Sequence, residues 1–503
     1  MQASKKISAF VAATTDADIP DAALQQAKTG ITDWLFVALA GQAQSGAPLH
    51  RLCRQLLGQS ARPQSTLLGQ LAKVGENHAA LINGYLGHVL DYDETCPKVR
   101  SHLFASIFPA LLAVAESGGL SGRELLSAFV IGHEVALRVG EVMTPGWIQA
   151  GWHGTSLFGI FGAAAGCAKL MGLGQERIRM ALGMAASMAS GLAVNFGTQT
   201  KPLHAGMAAE RGLFAAQLAQ QGFTANPDAL EGSLGFYHAY HWGRTVEGTA
   251  FDSMGLPWGL ETPGMSAIKL YPCCHGLTTN IECGIRIHDR DAPGLEDIDA
   301  IEIHSQPKTL CAMLSKDYAD GEPLQWGYQG PPRRMASGFP ESGTQAKFSK
   351  EYAFARALKD GQVRMHHMTD EAVHDPDIRP WMEKIQVFHD GNLEARCNEY
   401  PEEMGPHGER MVVHLKNGGV IEEEELFILG MARRPLSLED VRFKLRDCGG
   451  SAGLAPESAD KLMSMAADLE RLDDLTPLLA LVSGSERTRQ VASPAEIQRA
   501  HLG

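Results

Sequence analysis

Two nearly uncharged runs, Leu157–Cys167 and Met180–Phe196, constrain the fold of this chain more than anything else in it. Both are built from Ala, Gly and Ser with a few large apolar residues between them. Each is shorter and less apolar than a bilayer span requires, and Lys169, Arg177 and Arg179 stand close by. They therefore read as buried helices, expected over Ser156–Met171 and Gln175–Val194 with a turn at Gly172-Leu173-Gly174. Side chains this small let helix axes approach closely, which suits the central layer of a helical domain.

The pair gives way to Asn195–Gly206, N-F-G-T-Q-T-K-P-L-H-A-G, which sets Lys201 and His204 three positions apart. Pro202 has no N–H to donate, and Gly197 and Gly206 permit turns, so a loop is expected here with helix resuming at Met207. A cation at the end of a buried helix is costly unless an anion or a reaction uses it.

The rest of the first half is also helical. Ala22–Ala40 stops at Gly41, Glu76–Leu90 runs into the acidic loop Asp91–Pro97, Ala105–Glu116 follows, and Ser121/Glu124 form a capping box for a helix to Met143. No convincing strand occurs before Gly264. After Pro263 the pattern alternates over Asp297–Ser305, with weaker strands at Glu383–His389 and Met411–Leu415. Lys416-Asn417-Gly418-Gly419 turns the last of these into Val420–Leu426. Helices are expected at Ser349–Asp360 and Thr369–His374, a Gly/Pro-rich loop at Tyr318–Gln345, and helix again from Ser437 to Leu481. The expected fold is mainly α: an all-α domain of residues 1–265 plus 436–503, with an α+β lid of residues 266–435 inserted before the C-terminal helices.

Composition excludes several functions. A net charge of −14 argues against a nucleic-acid surface, and no stretch reads as a membrane anchor. Nine cysteines without framework spacing imply reduced thiols and a cytoplasmic location. His238-Ala-Tyr-His241 and His366-His367 lack a partnering carboxylate or cysteine set, and no three cysteines have cluster-loop spacing. P-loop, dinucleotide and nucleophile-elbow motifs are absent from the sequence. What is left is acid–base chemistry by His, Lys and Asp, without metal or cofactor. The candidates fall in four clusters at predicted helix ends and at the domain junction: Asp91/Asp93/Thr95/His102, His153/Thr155, Lys201/His204 and Lys269–His275.

Four segments then occur in order: Gly84–Thr95 (G-Y-L-G-H-V-L-D-Y-D-E-T), Gly151-Trp152-His153-Gly154-Thr155, Gly197–Gly206, and Lys269-Leu270-Tyr271-Pro272-Cys273-Cys274. Together they resemble the MmgE/PrpD family, which includes 2-methylcitrate dehydratase, cis-aconitate decarboxylase and iminodisuccinate epimerase. The resemblance runs from about residue 8 to 480 and implies a cofactor-free site between a helical domain and a lid, in a homodimer. It carries catalytic roles to Asp91, Thr95, His102, His153 and Lys201, and substrate binding to His204, Lys269, His275 and Lys347. Lys201 is expected to bind a carboxylate, His153 to act as base and His102 as partner acid, with Asp91 and Thr95 orienting them. The chain departs from the family pattern at Ser101-His102-Leu103-Phe104 and at His275, which follows Cys274 directly. The shared chemistry is a proton on carbon α to a carboxylate, stabilised by cations on the carboxylate oxygens. The favoured expectation is a dehydratase of the 2-methylcitrate type acting on a small di- or tricarboxylate. Decarboxylation or epimerisation are the alternatives, and a non-catalytic carboxylate binder is the alternative of another class.

Overall fold

The computed structural model describes residues 2–484 apart from 60–61, 145, 242–248, 307–313, 326–327, 398 and 401–407. Its first long helix, α1 (Asp21–Gln44), starts after Pro20 and passes straight through Gly41, where the sequence suggested a stop. Gly41 marks a crossing instead, since a Cβ there would run into the Leu86 carbonyl of α2 (Glu76–His88), which follows the helix Ala47–Gln59. A hairpin of two-residue strands, Ser65–Thr66 with Lys73–Val74, precedes α2 and is not expected from the sequence. Next come α3 (Leu103–Gly118), ended by Gly119 at φ +63°, and α4 (Gly122–Met143), opened by the Ser121/Glu124 capping box.

The two uncharged runs form α5 (Gly154–Leu170) and α6 (Gln175–Met188). All of Gly154–Ala168 is buried, and α5 packs against α3, α4 and α6. α6 ends six residues early, at Met188, because Ala189 turns extended. The following helix, α7 (Thr200–Gln220), also packs on α5 and begins seven residues before Met207. Pro202 sits in its first turn, where a missing N–H has no intrahelical partner to lose. Gly206 is a crossing point rather than a turn: a Cβ there would strike the Leu81 carbonyl, and one on Gly84 would lie 2.7 Å from the Gly206 Cα.

Beyond Gly264, α8 (Thr278–Asp291) was not anticipated. A five-stranded sheet is built from β1 (Ile298–Ser305), β2 (Arg333–Arg334), β3 (Ile385–His389), β4 (Glu409–Leu415) and β5 (Val420–Glu425). Its order is β2-β3-β1-β4-β5, with β1 parallel to β3 and antiparallel to β4. Helix α8 packs on β4 and β5, and α9 (Lys350–Asp360, capped by Ser349) on β3 and α8. These elements share a separate apolar core.

The chain then returns to helix as α10 (Leu438–Ser451), α11 (Pro456–Ala467) and α12 (Thr476–Val482). α10 and α11 lie against α1, and Leu445, Cys448, Leu462 and Leu478 join the core of the first helices. Residues 485–503 of the expected C-terminal portion lie outside the described residues. The protein is mainly α with a modest α+β part, and among the described residues no helix is long and apolar enough to cross a membrane.

Candidate active site

The site is built on the C-terminal end of α2. A helix end leaves carbonyl oxygens without intrahelical partners and carries partial negative charge. Here lysines from three distant segments reach that end. Lys347 Nζ donates to the Val89 carbonyl (2.7 Å), Lys269 Nζ to the Asp91 carbonyl, and Lys444 Nζ, from α10, to the Tyr92 carbonyl (2.7 Å). Asp91 itself has φ +49°, a left-handed conformation that aspartate tolerates better than most side chains.

The Asp91 carboxylate holds two of the lysines. Oδ2 lies 2.7 Å from Lys201 Nζ and Oδ1 lies 2.6 Å from Lys269 Nζ. Burial would raise this carboxyl, but the two ammonium groups outweigh it and hold it well below the usual range. For Lys269, burial lowers the pKa and Asp91 more than restores it. Among the described residues no carboxylate is in contact with Lys347, and burial brings it down to about 8.

Histidines extend the network. Lys201 Nζ, in the first turn of α7, donates to His88 Nε2 at 2.9 Å, and His88 Nδ1 faces Asp93 Oδ2 at 2.9 Å. His102 Nδ1 lies 3.2 Å from the same Asp93 oxygen and 2.9 Å from the Glu94 carbonyl. His102 also leads into α3 and donates its backbone N–H to Thr155 Oγ1 (2.9 Å), which fixes it against the start of α5. His153 leads into α5, with Nδ1 3.1 Å from His204 Nδ1, and Thr95 Oγ1 meets His275 Nδ1 at 3.0 Å. Burial lowers the pKa of every one of these imidazoles: to about 3 for His88 and His275, about 4 for His204, and downward for His102 and His153. Lys201 adds to the effect on His153 and His204, while Asp93 opposes it at His88 and His102. They are neutral near pH 7. Asp93 is held well below the usual carboxylate range, since His102 and His88 overcome the effect of its burial.

Beside this network is a cavity of about 90 Å³. Of the nine residues singled out from the sequence, Thr95, His102, His153, Lys201 and His275 line it. Asp91, His204, Lys269 and Lys347 do not. They stand one layer behind, bonded to a lining residue, to the Asp91 loop or, for Lys347, to Val89 at the end of α2. The remaining wall is largely apolar, including Trp147, Phe196, Ile428 and Met431, and Arg100 adds a second full cation. Arg100 ends a short 3-10 turn at φ +47° and carried no sequence signal beyond a basic residue after Pro97. His88 is the other residue the sequence reading passed over. Its signal was its spacing, three before Asp91 and five before Asp93, on the last turn of a predicted helix.

The ligand atoms of His88, Asp93 and His102 lie within 4.8 Å of one another, close enough to converge on a metal ion. The hydrogen bonds speak for another use. Lys201 donates to His88 Nε2, so His88 Nδ1 carries the proton, and His102 Nδ1 needs its own proton to approach a carbonyl. Neither Nδ1 has a lone pair to give.

A small cavity with two full cations and three neutral imidazoles on its wall suits anionic, proton-transferring chemistry. Comparison with known proteins identifies the setting. The profile of the MmgE/PrpD N-terminal domain matches residues 5–249, and that of the C-terminal domain matches residues 271–470. The chain belongs to the MmgE/PrpD family. It is 27% identical over 480 residues to the cis-aconitate decarboxylase of Mus musculus, covering 93% of this chain and 90% of the relative. To that of Homo sapiens it is 28% identical over 478 residues, covering 93% and 91%. A cis-aconitate decarboxylase-like protein of Aspergillus oryzae is 26% identical over 485 residues, covering 93% and 94%. As an MmgE/PrpD protein it is an enzyme of the lyase or epimerase type. The C-terminal profile takes in α10 and α11, although both pack on helix α1 of the N-terminal part.

Proposed function

We propose that this MmgE/PrpD enzyme is a cofactor-independent decarboxylase of a small unsaturated tricarboxylate of the cis-aconitate type. The observation that carries the reading is the cavity wall, Lys201 and Arg100 beside neutral His102, His153 and His275, in a chain similar over 93% of its length to proteins named for that reaction. The dehydratase reading favoured by the sequence has no counterpart among those names.

The chemistry needs two things from the protein. As CO2 leaves, the C–C bond pair moves into the carbon skeleton, the double bond shifts, and charge gathers on the carbon α to a remaining carboxylate and on its oxygens. Lys201 and Arg100 stabilise those oxygens. That carbon then takes a proton, one for each CO2 lost, from an imidazole that the substrate's negative charge has recharged. His102, backed by Asp93, is the donor in this reading, and His153, backed by His204, assists from the start of α5. The apolar wall keeps water from competing and strengthens the cations. A homodimer and a cytoplasmic location, implied by the sequence, belong to the same proposal.

The test is incubation of the purified, chelator-treated protein with cis-aconitate and with 2-methylcitrate in D2O, followed by proton NMR. The expected outcome is CO2 release from cis-aconitate and deuterium on a carbon α to a carboxylate of the product. Turnover of 2-methylcitrate with none of cis-aconitate would return the dehydratase reading to first place.

A further inference from the structure

Two buried side chains take no part in lining the cavity, yet join two groups that do. His88 and Asp93 have fully buried side chains, and between them they link Lys201 to His102. The direction of each bond is fixed by its ends. The Lys201 ammonium has only protons to offer, so it donates to His88 Nε2, and His88 Nδ1–H must point at Asp93. At the other end, the Glu94 carbonyl and the Asp93 carboxylate are both acceptors, so His102 Nδ1 is also the protonated nitrogen. His102 Nε2 is left with its lone pair, 3.6 Å from Asp91 Oδ1 and too far to bond it.

We propose that Asp93 is a positioning residue: its carboxylate holds His88 and His102 together as Nδ1–H tautomers, so that His88 Nε2 aims Lys201 and His102 Nε2 is the atom that carries the proton at the cavity wall. The hydrogen bond at one ring nitrogen decides what the other can do. When His102 takes up its second proton, Asp93 is the anion in contact with the imidazolium. Asp91 also faces it, while Lys269 and Lys201 oppose its charge and the neighbouring His88, His153 and His275 are neutral. Removing the Asp93 charge therefore makes a protonated His102 harder to form. The catalytic half of this proposal rests on the decarboxylase reading, whereas the tautomer half does not.

The two halves are tested separately. In full-length protein labelled with nitrogen-15 in its histidines, ring-nitrogen NMR at pH 7 is expected to show His88 and His102 protonated at Nδ1, assigned by the signals lost in His88→Gln and His102→Gln. Nε2–H at either ring in the unaltered protein overturns the proposal, whatever the substrate. For turnover, Asp93→Asn keeps the shape and removes the charge. Its kcat at pH 7.5 is expected to fall about 10-fold or more with KM within about threefold, and the alkaline limb of the kcat profile to move down by about one pH unit or more. Asp93→Glu is expected to recover the position of that limb. A profile that only scales, with its limbs unmoved, would leave Asp93 a purely structural residue and defeat the proposal. Should cis-aconitate not turn over at all, the tautomer measurement still decides the assignment.

Discussion

At the scale of single residues, one carboxylate decides where the cations go. Asp91 binds Lys201 and Lys269 at once; Lys201 faces the cavity, while Lys269, only 1% exposed, also donates to the Asp91 and Cys273 carbonyls and is committed to the loop. The neutral histidines give the site its pH behaviour. Their pKa values are lowered by burial, and a bound polycarboxylate raises them, so binding takes up protons. With uptake on binding, affinity for an unreactive tricarboxylate should weaken as pH rises from 6 to 8. Calorimetry in two buffers of different ionisation enthalpy should report net proton uptake, and net release would contradict this account. His153→Gln cannot take a proton near pH 7 but can still hydrogen-bond His204. It should fold as the parent does, by thermal unfolding, and lose about 10²-fold or more in turnover. Near-parental turnover would remove His153 from the mechanism.

At the scale of elements, the ends of helices carry the site and the glycines mark where helices cross. Helix α10 is an example of an element acting at a distance. Its Lys444 is fully buried, pairs with Asp33 at 2.5 Å and donates to the Tyr92 carbonyl beside Asp91. Burial already pushes the Asp33 carboxyl up, with Lys444 opposing. Lys444→Met would strand that carboxylate and should cost about 3–5 kcal/mol. The double variant Asp33→Leu, Lys444→Met should recover much of the loss. Urea unfolding measures both, and a Lys444→Met midpoint equal to the parent's would show that the pair contributes nothing net. Two of the element boundaries were misjudged for the same physical reason. Gly41 and Gly206 read as breaks in sequence, yet both sit mid-helix against the backbone of α2, where only a glycine leaves room.

For the whole molecule, the buried histidines set acid stability. Burial holds His88, His133 and His275 near 3, well below their ordinary 6.5. The unfolded chain therefore binds protons that the folded chain refuses, and stability falls as pH drops below about 6.5. Each contributes roughly 1.4 kcal/mol per pH unit. Glu94 works the other way, because burial raises its carboxyl and the folded protein protonates it first. The net expectation is a urea midpoint that drops between pH 7 and pH 5. A midpoint that stays level or rises over that range would mean that the histidines are solvated.

The sequence by itself determined the helical body, the switch to alternation after Pro263 and the return to helix at Ser437, because periodicity and capping are local and survive without neighbours. It also set Asp91, His102, His153, Lys201 and His275 at predicted helix ends and at the turn after Pro263, and the fold brings these five to one place. Only the tertiary structure decided which of these face the cavity. Lys269 and Lys347 look like Lys201 in one dimension, but Lys269 is turned onto the Asp91 and Cys273 carbonyls and Lys347 onto the Val89 carbonyl. The same holds for His88, whose role comes from Lys201, 113 residues away. Hydrogen-bond partners are chosen by packing across the fold, and no local pattern encodes them.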